Sequence, residues 1–305
     1  MNYSEFENAV IERLSEKAGK DCEIVPTSVL KNNNTTLKGL RFVRNDNIIQ
    51  PTIYLDSFYC MYKRGQDIDE IADEIYEDYE SAKIGNAPDL SFFTDYSRMK
   101  ERIVCKLINA EKNAKLLKKI PYVPFLDLAV VFYCRIDLPG AGTGTILIHQ
   151  SHFEEWGITI EEMYEDALSN NRKLLKSQIT PIEDVLNDIL IRMKERGEEC
   201  ETPAFCEDEP RVPMYVLTNE FSHNGAACML DDGVLKDFSK KSGGDFFIIP
   251  SSIHELILMP ARAKNSTGSL KEIVKTINAT ELSKDEILSD EVYLYDVSKS
   301  AVVLA

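Results

Sequence analysis

Residues Ser251-Ser252-Ile253-His254-Glu255 set two hydroxyls, an imidazole and a carboxylate within one short stretch. A hydroxyl nucleophile needs a base within hydrogen-bond reach, and the base needs an acid to orient it. Ser252, His254 and Glu255 are therefore the candidate catalytic residues. Two features count against them. Neighbours on a strand point to opposite faces, so His254 and Glu255 cannot both face Ser252. A zinc-protease His-Glu-x-x-His motif would need histidine at 258, where the chain has Leu258. The run His254–Met259 reads as a strand that is apolar on both faces and hence central in a sheet. His254 is expected to open that strand in a structural role, its imidazole N–H met by the Ser252 hydroxyl or by a backbone carbonyl across the turn.

His149 and His152 lie three apart, with Glu154 and Glu155 just behind. Two imidazoles and a carboxylate suit a divalent metal, so these two histidines are the candidate ligands. Ser151 reads as a helix cap, which would leave His149 at a strand end and His152 in a helix. A further imidazole would have to come from His223 or His254. The glycines of Gly140-Ala141-Gly142-Thr143-Gly144 lead into a strand, with no Lys-Ser/Thr pair. Phosphate loops hand their glycines to a helix N-terminus, so this run is a hairpin loop, and no cofactor is expected. Phe221-Ser222-His223-Asn224-Gly225 carries an Asn-Gly turn signal. The glycan-acceptor spellings at Asn34, Asn265 and Asn278 carry no weight in a chain expected to stay unsecreted.

The chain has 305 residues and a net charge of −16. That charge opposes nucleic acid or an anionic membrane as partner and favours a protein with a basic surface, with polyanion mimicry as an alternative. The opening residues lack a signal-peptide pattern, and no apolar run approaches the length of a bilayer crossing. Seven cysteines without Cys-x-x-Cys spacing suggest reduced thiols. A cytoplasmic location is the expectation. Nothing in the residues fixes an oligomeric state.

The elements around these residues follow from periodicity and caps. Phe6, Val10, Leu14 and Ala18 mark an amphipathic helix stopped by Gly19. Runs 22–30 and 35–43 form a hairpin. Asp67 to Glu70 spells a capping box for an acidic helix to about Ala82. Segment 98–119 is rich in Lys and Arg; Met99, Ile103, Leu107 and Ala110 suggest a basic amphipathic helix, completing a charged pair. Strands are expected at 127–136, 145–149, 214–218, 226–230, 245–249, 254–259 and 292–297. Capping boxes at Ser151 and Thr159, and Pro181 at a first helical position, mark further helices. The principal helices are expected at 160–173, 181–196, 232–241 and 269–279.

The order strand–strand–helix recurs near 126–173, 213–241 and 245–279. It predicts an α+β fold: a mixed, mainly antiparallel sheet with helices packed on it, beyond an N-terminal helix and hairpin region. Domains are expected at 1–120 and 121–305. An acidic, proline-bearing linker near 198–212 should be the most mobile internal segment.

Pro124–Phe132, Trp156–Glu162, Gly225-Ala226-Ala227-Cys228 and Ile249–Glu255 resemble an uncharacterised bacterial domain-of-unknown-function family, itself similar to the YtpQ-like proteins. The resemblance implies a shared fold unit and no activity. The leading expectation is a non-catalytic binding or regulatory protein acting through its acidic surface or its sheet. The competing one is a hydrolase or metal-assisted enzyme that gathers His149, His152, His223 and His254 around one cleft.

Overall fold

Where the apolar period is unambiguous, helices form as the spacing predicts. A computed structural model describes residues 1–19, 21–44, 52–81, 91–138, 142–196, 212–261 and 267–305. The fold is α+β, with three sheets and helices packed on them. It divides into two compact units, one of Met1–Phe93 with Arg135–Ile146, the other of Thr94–Cys134 with Leu147–Ala305. No helix among the described residues is long and apolar enough to cross a membrane.

In the first unit, α1 (Tyr3–Ala18) begins with a reciprocal cap between Asn2 and Glu5 and buries Phe6, Val10, Leu14 and Ala18. Strands β1 (Glu23–Leu30), β2 (Thr36–Val43) and β3 (Thr52–Tyr54) form an antiparallel sheet. Gly39 lets β3 approach, since a Cβ there would sit 2.6 Å from the Ile53 carbonyl oxygen. Helix α2 (Asp56–Lys63) and helix α3 (Ile68–Ser81) complete the core, with Ile71, Ala72, Ile75 and Tyr79 buried. The Tyr79 ring stacks on Phe42 at 3.9 Å.

The second unit opens with α4 (Tyr96–Met99) and then β4 (Ile103–Asn109), which corrects the basic helix expected over 98–119. Val104, Cys105 and Ile108 lie off the presumed helical stripe and are apolar as well. Six of the seven residues of β4 are buried and only Lys106 is partly exposed, the pattern of a strand covered on both faces. A short helix α5 (Ala114–Leu117) follows. Strands β5 (Tyr122–Phe125) and β4 flank β6 (Leu128–Leu138), and β7 (Gly142–Leu147) also pairs with β6. At the β5–β6 turn Leu126 takes a left-handed φ of 55°. The next residue, Asp127, accepts hydrogen bonds from Ser289 Oγ at 2.6 Å and Tyr293 Oη at 2.8 Å.

Helices α6 (Gln150–Trp156) and α7 (Ile160–Leu174) flank the left-handed Gly157. Next come β8 (Ser177–Pro181), α8 (Ile182–Glu195) and β9 (Tyr215–Asn219), then α9 (Asp232–Ser242), β10 (Phe246–Pro250) and β11 (Leu256–Pro260). Helix α10 (Thr267–Thr280), β12 (Tyr293–Asp296) and β13 (Ala301–Leu304) end the chain. The six-stranded sheet has the order β13-β12-β10-β11-β9-β8, and each of its ladders is antiparallel.

The strand expected at 226–230 is instead a buried 3-10 turn, Gly225–Leu230. Strand β9 already has β8 and β11 as hydrogen-bonded neighbours, so the sheet has no slot beside it for this segment. The second strand–strand–helix unit is therefore not built as expected. Strands β3, β5, β8 and β13 are additional elements. The linker expected near 198–212 lies, except for Val212, outside the described residues, as do Gly140 and Ala141 of the glycine run.

Candidate functional site

Strand β9 and the β10–β11 turn bring two of the four histidines together. The rings of His223 and His254 lie 4.9 Å apart. His223 sits in the loop after β9, and His254 lies in the turn two residues before β11 rather than opening it. The turn runs on because Ser252 Oγ accepts the His254 backbone N–H at 3.0 Å, and the Ser252 N–H donates to the Glu255 carbonyl at 3.2 Å. These are the local bonds with which serine competes against regular structure.

Several polar groups of the loop have definite partners. Buried Asn219 donates from Nδ2 to the His223 carbonyl at 2.8 Å, while its Oδ1 accepts the Phe221 N–H at 3.0 Å and the His223 N–H at 3.4 Å. Asn224, left-handed at φ 53°, donates its N–H to His254 Nδ1 at 3.1 Å. In the neutral ring the proton therefore sits on Nε2. That nitrogen lies 4.0 Å from Glu286 Oε1. Thr218 Oγ1 donates to the His254 carbonyl at 2.8 Å, and the Ala226 N–H donates to the Ile253 carbonyl at 3.2 Å.

Gly225 is the seam between the two loops. A Cβ there would meet Thr218 Oγ1 at 2.2 Å and the His254 carbonyl oxygen at 2.4 Å. The segments Gly225–Cys228 and Ile249–Glu255, both prominent in the sequence, thus form one loop cluster. Partial burial first, then the charges of His254 and Lys106, hold the His223 imidazole below its usual value of 6.5. Its nitrogens make no hydrogen bond among the described residues, which leaves it the more chemically available ring of the pair.

The three candidate catalytic residues are adjacent yet engage separate partners. Ser252 Oγ serves the His254 backbone, His254 Nδ1 serves Asn224, and the Glu255 carboxylate accepts from Ser251 Oγ at 3.3 Å. The residues around His223 and His254 that motif reading missed are Thr218, Asn219, Asn224, Lys106 and Glu286. Only the Asn-Gly spelling at 224–225 signalled any of them; the others arrive through tertiary packing.

His149 and His152 form a second pair. The cap of α6 is His149 rather than the expected Ser151, and the His149 N–H donates to His152 Nδ1 at 3.2 Å. Their rings meet edge to face at 5.7 Å. Burial first, then the neighbouring His149, holds His152 below the usual imidazole value, with Glu155 opposing. Among the described residues no group of three or more His, Cys, Asp or Glu side chains is placed to hold a metal ion.

No curated protein and no solved structure matches the chain. A family model described as a family of unknown function, DUF5688, matches residues 3–297, and the chain belongs to that family.

Proposed function

We propose that this chain is a non-catalytic binding or regulatory protein of the cytoplasm, bacterial in origin and akin to the YtpQ-like proteins. The observation that carries the reading is where the chemically capable side chains spend their hydrogen bonds. Ser252, His254, Asn219 and Thr218 hold loop backbone in place rather than one another, so their loops make a shaped surface in preference to a proton relay. The sign of the partner follows from charge. On α1 and α3, Arg13–Asp69 and Lys17–Asp73 are ion-paired, while Glu70, Glu77 and Asp78 face outward without an ion pair among the described residues. A protein with a basic surface fits that face, and nucleic acid does not.

Affinity capture with the full chain tests this at low and at high salt, alongside a Glu70→Gln/Glu77→Gln/Asp78→Asn variant. The expected result is a basic partner retained by the wild type and by Ser252→Ala, and lost with the neutralised face or in high salt. Equal recovery by every variant would remove the acidic face from the reading. A hydrolase is the second reading, favoured by the 4.9 Å spacing of His223 and His254. It requires turnover of a substrate that His223→Asn abolishes while the fold stays intact.

A further inference from the structure

Helix α8 is amphipathic, and none of its side chains is fully buried. Ile182, Val185, Leu186, Ile189, Leu190 and Met193 follow the 3-and-4 spacing of one helical face. Of these, Ile189 is 47% exposed, and the other five are half-buried. The helix is anchored at its first residue, where the Ile182 N–H donates to the Met214 carbonyl at 3.0 Å. It leaves from β8, the edge strand of the six-stranded sheet.

The charges beside the stripe are divided along its length. Glu183, Asp184 and Asp188 occupy the first half, while Arg192 and Lys194 occupy the second, where Glu195 lies on the face opposite the stripe. None of these takes part in an ion pair among the described residues. The division suits the helix dipole, and it has a further consequence. At 100° per residue, Glu183 and Lys194 flank the stripe on one side, and Asp188 and Arg192 flank it on the other. A two-fold axis between two antiparallel copies sets each flank against the same flank, running in reverse. Glu183 then meets Lys194 of the second copy, twice, and Asp188 comes within a turn of Arg192 of the second copy. A parallel two-fold arrangement would set each flank against the opposite one, bringing Lys194 beside Arg192 of the second copy and Glu183 onto the side of Asp188, like charge against like.

We propose that α8 is the interface of a homodimer, two copies of this chain pairing antiparallel through the apolar stripe of Ile182–Met193. An isologous contact needs a surface complementary to itself, which this charge division supplies. A single helix pair is a small interface, so the association is reversible and dependent on concentration. The proposal does not depend on the acidic face of α1 and α3.

Sedimentation velocity of the full chain over a range of micromolar concentrations tests it. The wild type is expected to move from monomer to dimer as concentration rises. Ile189→Asp should be monomeric throughout while keeping the wild-type circular dichroism and, at concentrations where the wild type is monomeric, the wild-type thermal midpoint. Glu183→Lys alone, or Lys194→Glu alone, should weaken self-association by roughly tenfold, through two opposed like-charge contacts. An equimolar mixture of the two variants should dimerise again, because each then offers the other opposite charges. A wild type that stays monomeric, a dimer indifferent to Ile189→Asp, or a mixture that fails to recover would each overturn the proposal.

Discussion

Helices α3 and α8 have 14 residues each and similar amphipathic spacing, yet their apolar faces meet opposite fates. Helix α3 buries Ile71, Ala72, Ile75 and Tyr79, with the Tyr79 ring stacked on Phe42. Helix α8 has no fully buried residue. Periodicity therefore announces a stripe without saying what covers it. A stripe closed by the same chain contributes to folding, and one covered only in part leaves surface for a second molecule. The polar residues divide in the same way. Around His254, hydroxyl, amide and imidazole groups are spent on neighbouring backbone, while the His223 ring and the charges of α8 are left over.

The sharpest way to break the comparison is to truncate the buried stripe. Ile75→Ala should destabilise the protein by roughly 2–5 kcal/mol, from lost transfer energy and the cavity left behind. Urea titration followed by circular dichroism measures it. A loss below about 1 kcal/mol would mean that α3 relaxes around the gap and is less committed than its complete burial implies. Next in size is Gly225→Ala, whose new methyl would overlap Thr218 Oγ1 and the His254 carbonyl oxygen. Separating the two loops should cost about 1–3 kcal/mol. An unchanged urea midpoint would show that the loops are not locked together.

How much of this was legible in the residues depended on whether a pattern had one solution. Helix α1, the β1–β2 hairpin and the capped starts of α7 and α9 follow from spacing and caps that no alternative fits as well. Segment 98–119 had two solutions. Its apolar residues satisfy a helical period if Val104, Cys105 and Ile108 are set aside, and a doubly covered strand if they are counted; the partner strand β6 decides. Gly225–Leu230 was misread because strand pairing is a property of the whole sheet, and β9 had no free edge to offer. Within the candidate site the sequence placed His254 near Ser252 correctly. That the imidazole would serve Asn224, thirty positions away, depends on where β9 and β11 deliver their loops.

Two histidine experiments sharpen the contrast between spent and spare polar groups. His254→Ala removes the acceptor of the Asn224 N–H and should destabilise by about 1–2 kcal/mol. A melt with an unchanged midpoint, together with fast diethyl pyrocarbonate labelling of wild-type His254, would return this residue to the catalytic candidates. His223 differs because its effect is on pH dependence. Its folded value lies below 6.5, so the unfolded chain takes up the proton first as pH falls. The native state is thus penalised as pH drops below about 6.5, until the lower folded value is passed. His223→Gln should flatten that acid-side loss of stability between pH 7 and the folded value. A variant whose midpoint falls with acid as steeply as wild type would show that other groups set the slope.

The smallest expected effect is the most discriminating one. Ile189→Ala removes as much hydrocarbon as Ile75→Ala, from a side chain that the folded monomer leaves 47% exposed. Only about half of its apolar surface returns to water on unfolding, and no closed cavity opens when it is cut back. Alanine also has the better helix propensity, by a few tenths of a kcal/mol. These terms nearly cancel, so monomer stability should change by no more than about 0.5 kcal/mol. The measurement must be made at concentrations low enough to keep the chain monomeric, because a dimer adds its association energy to the apparent stability of the wild type alone. Under those conditions Ile189→Ala and wild type should unfold together, and they should part as concentration rises, the wild-type midpoint climbing and the variant's staying behind. A large loss in the dilute monomer would place α8 in the same class as α3, with its stripe covered by its own chain.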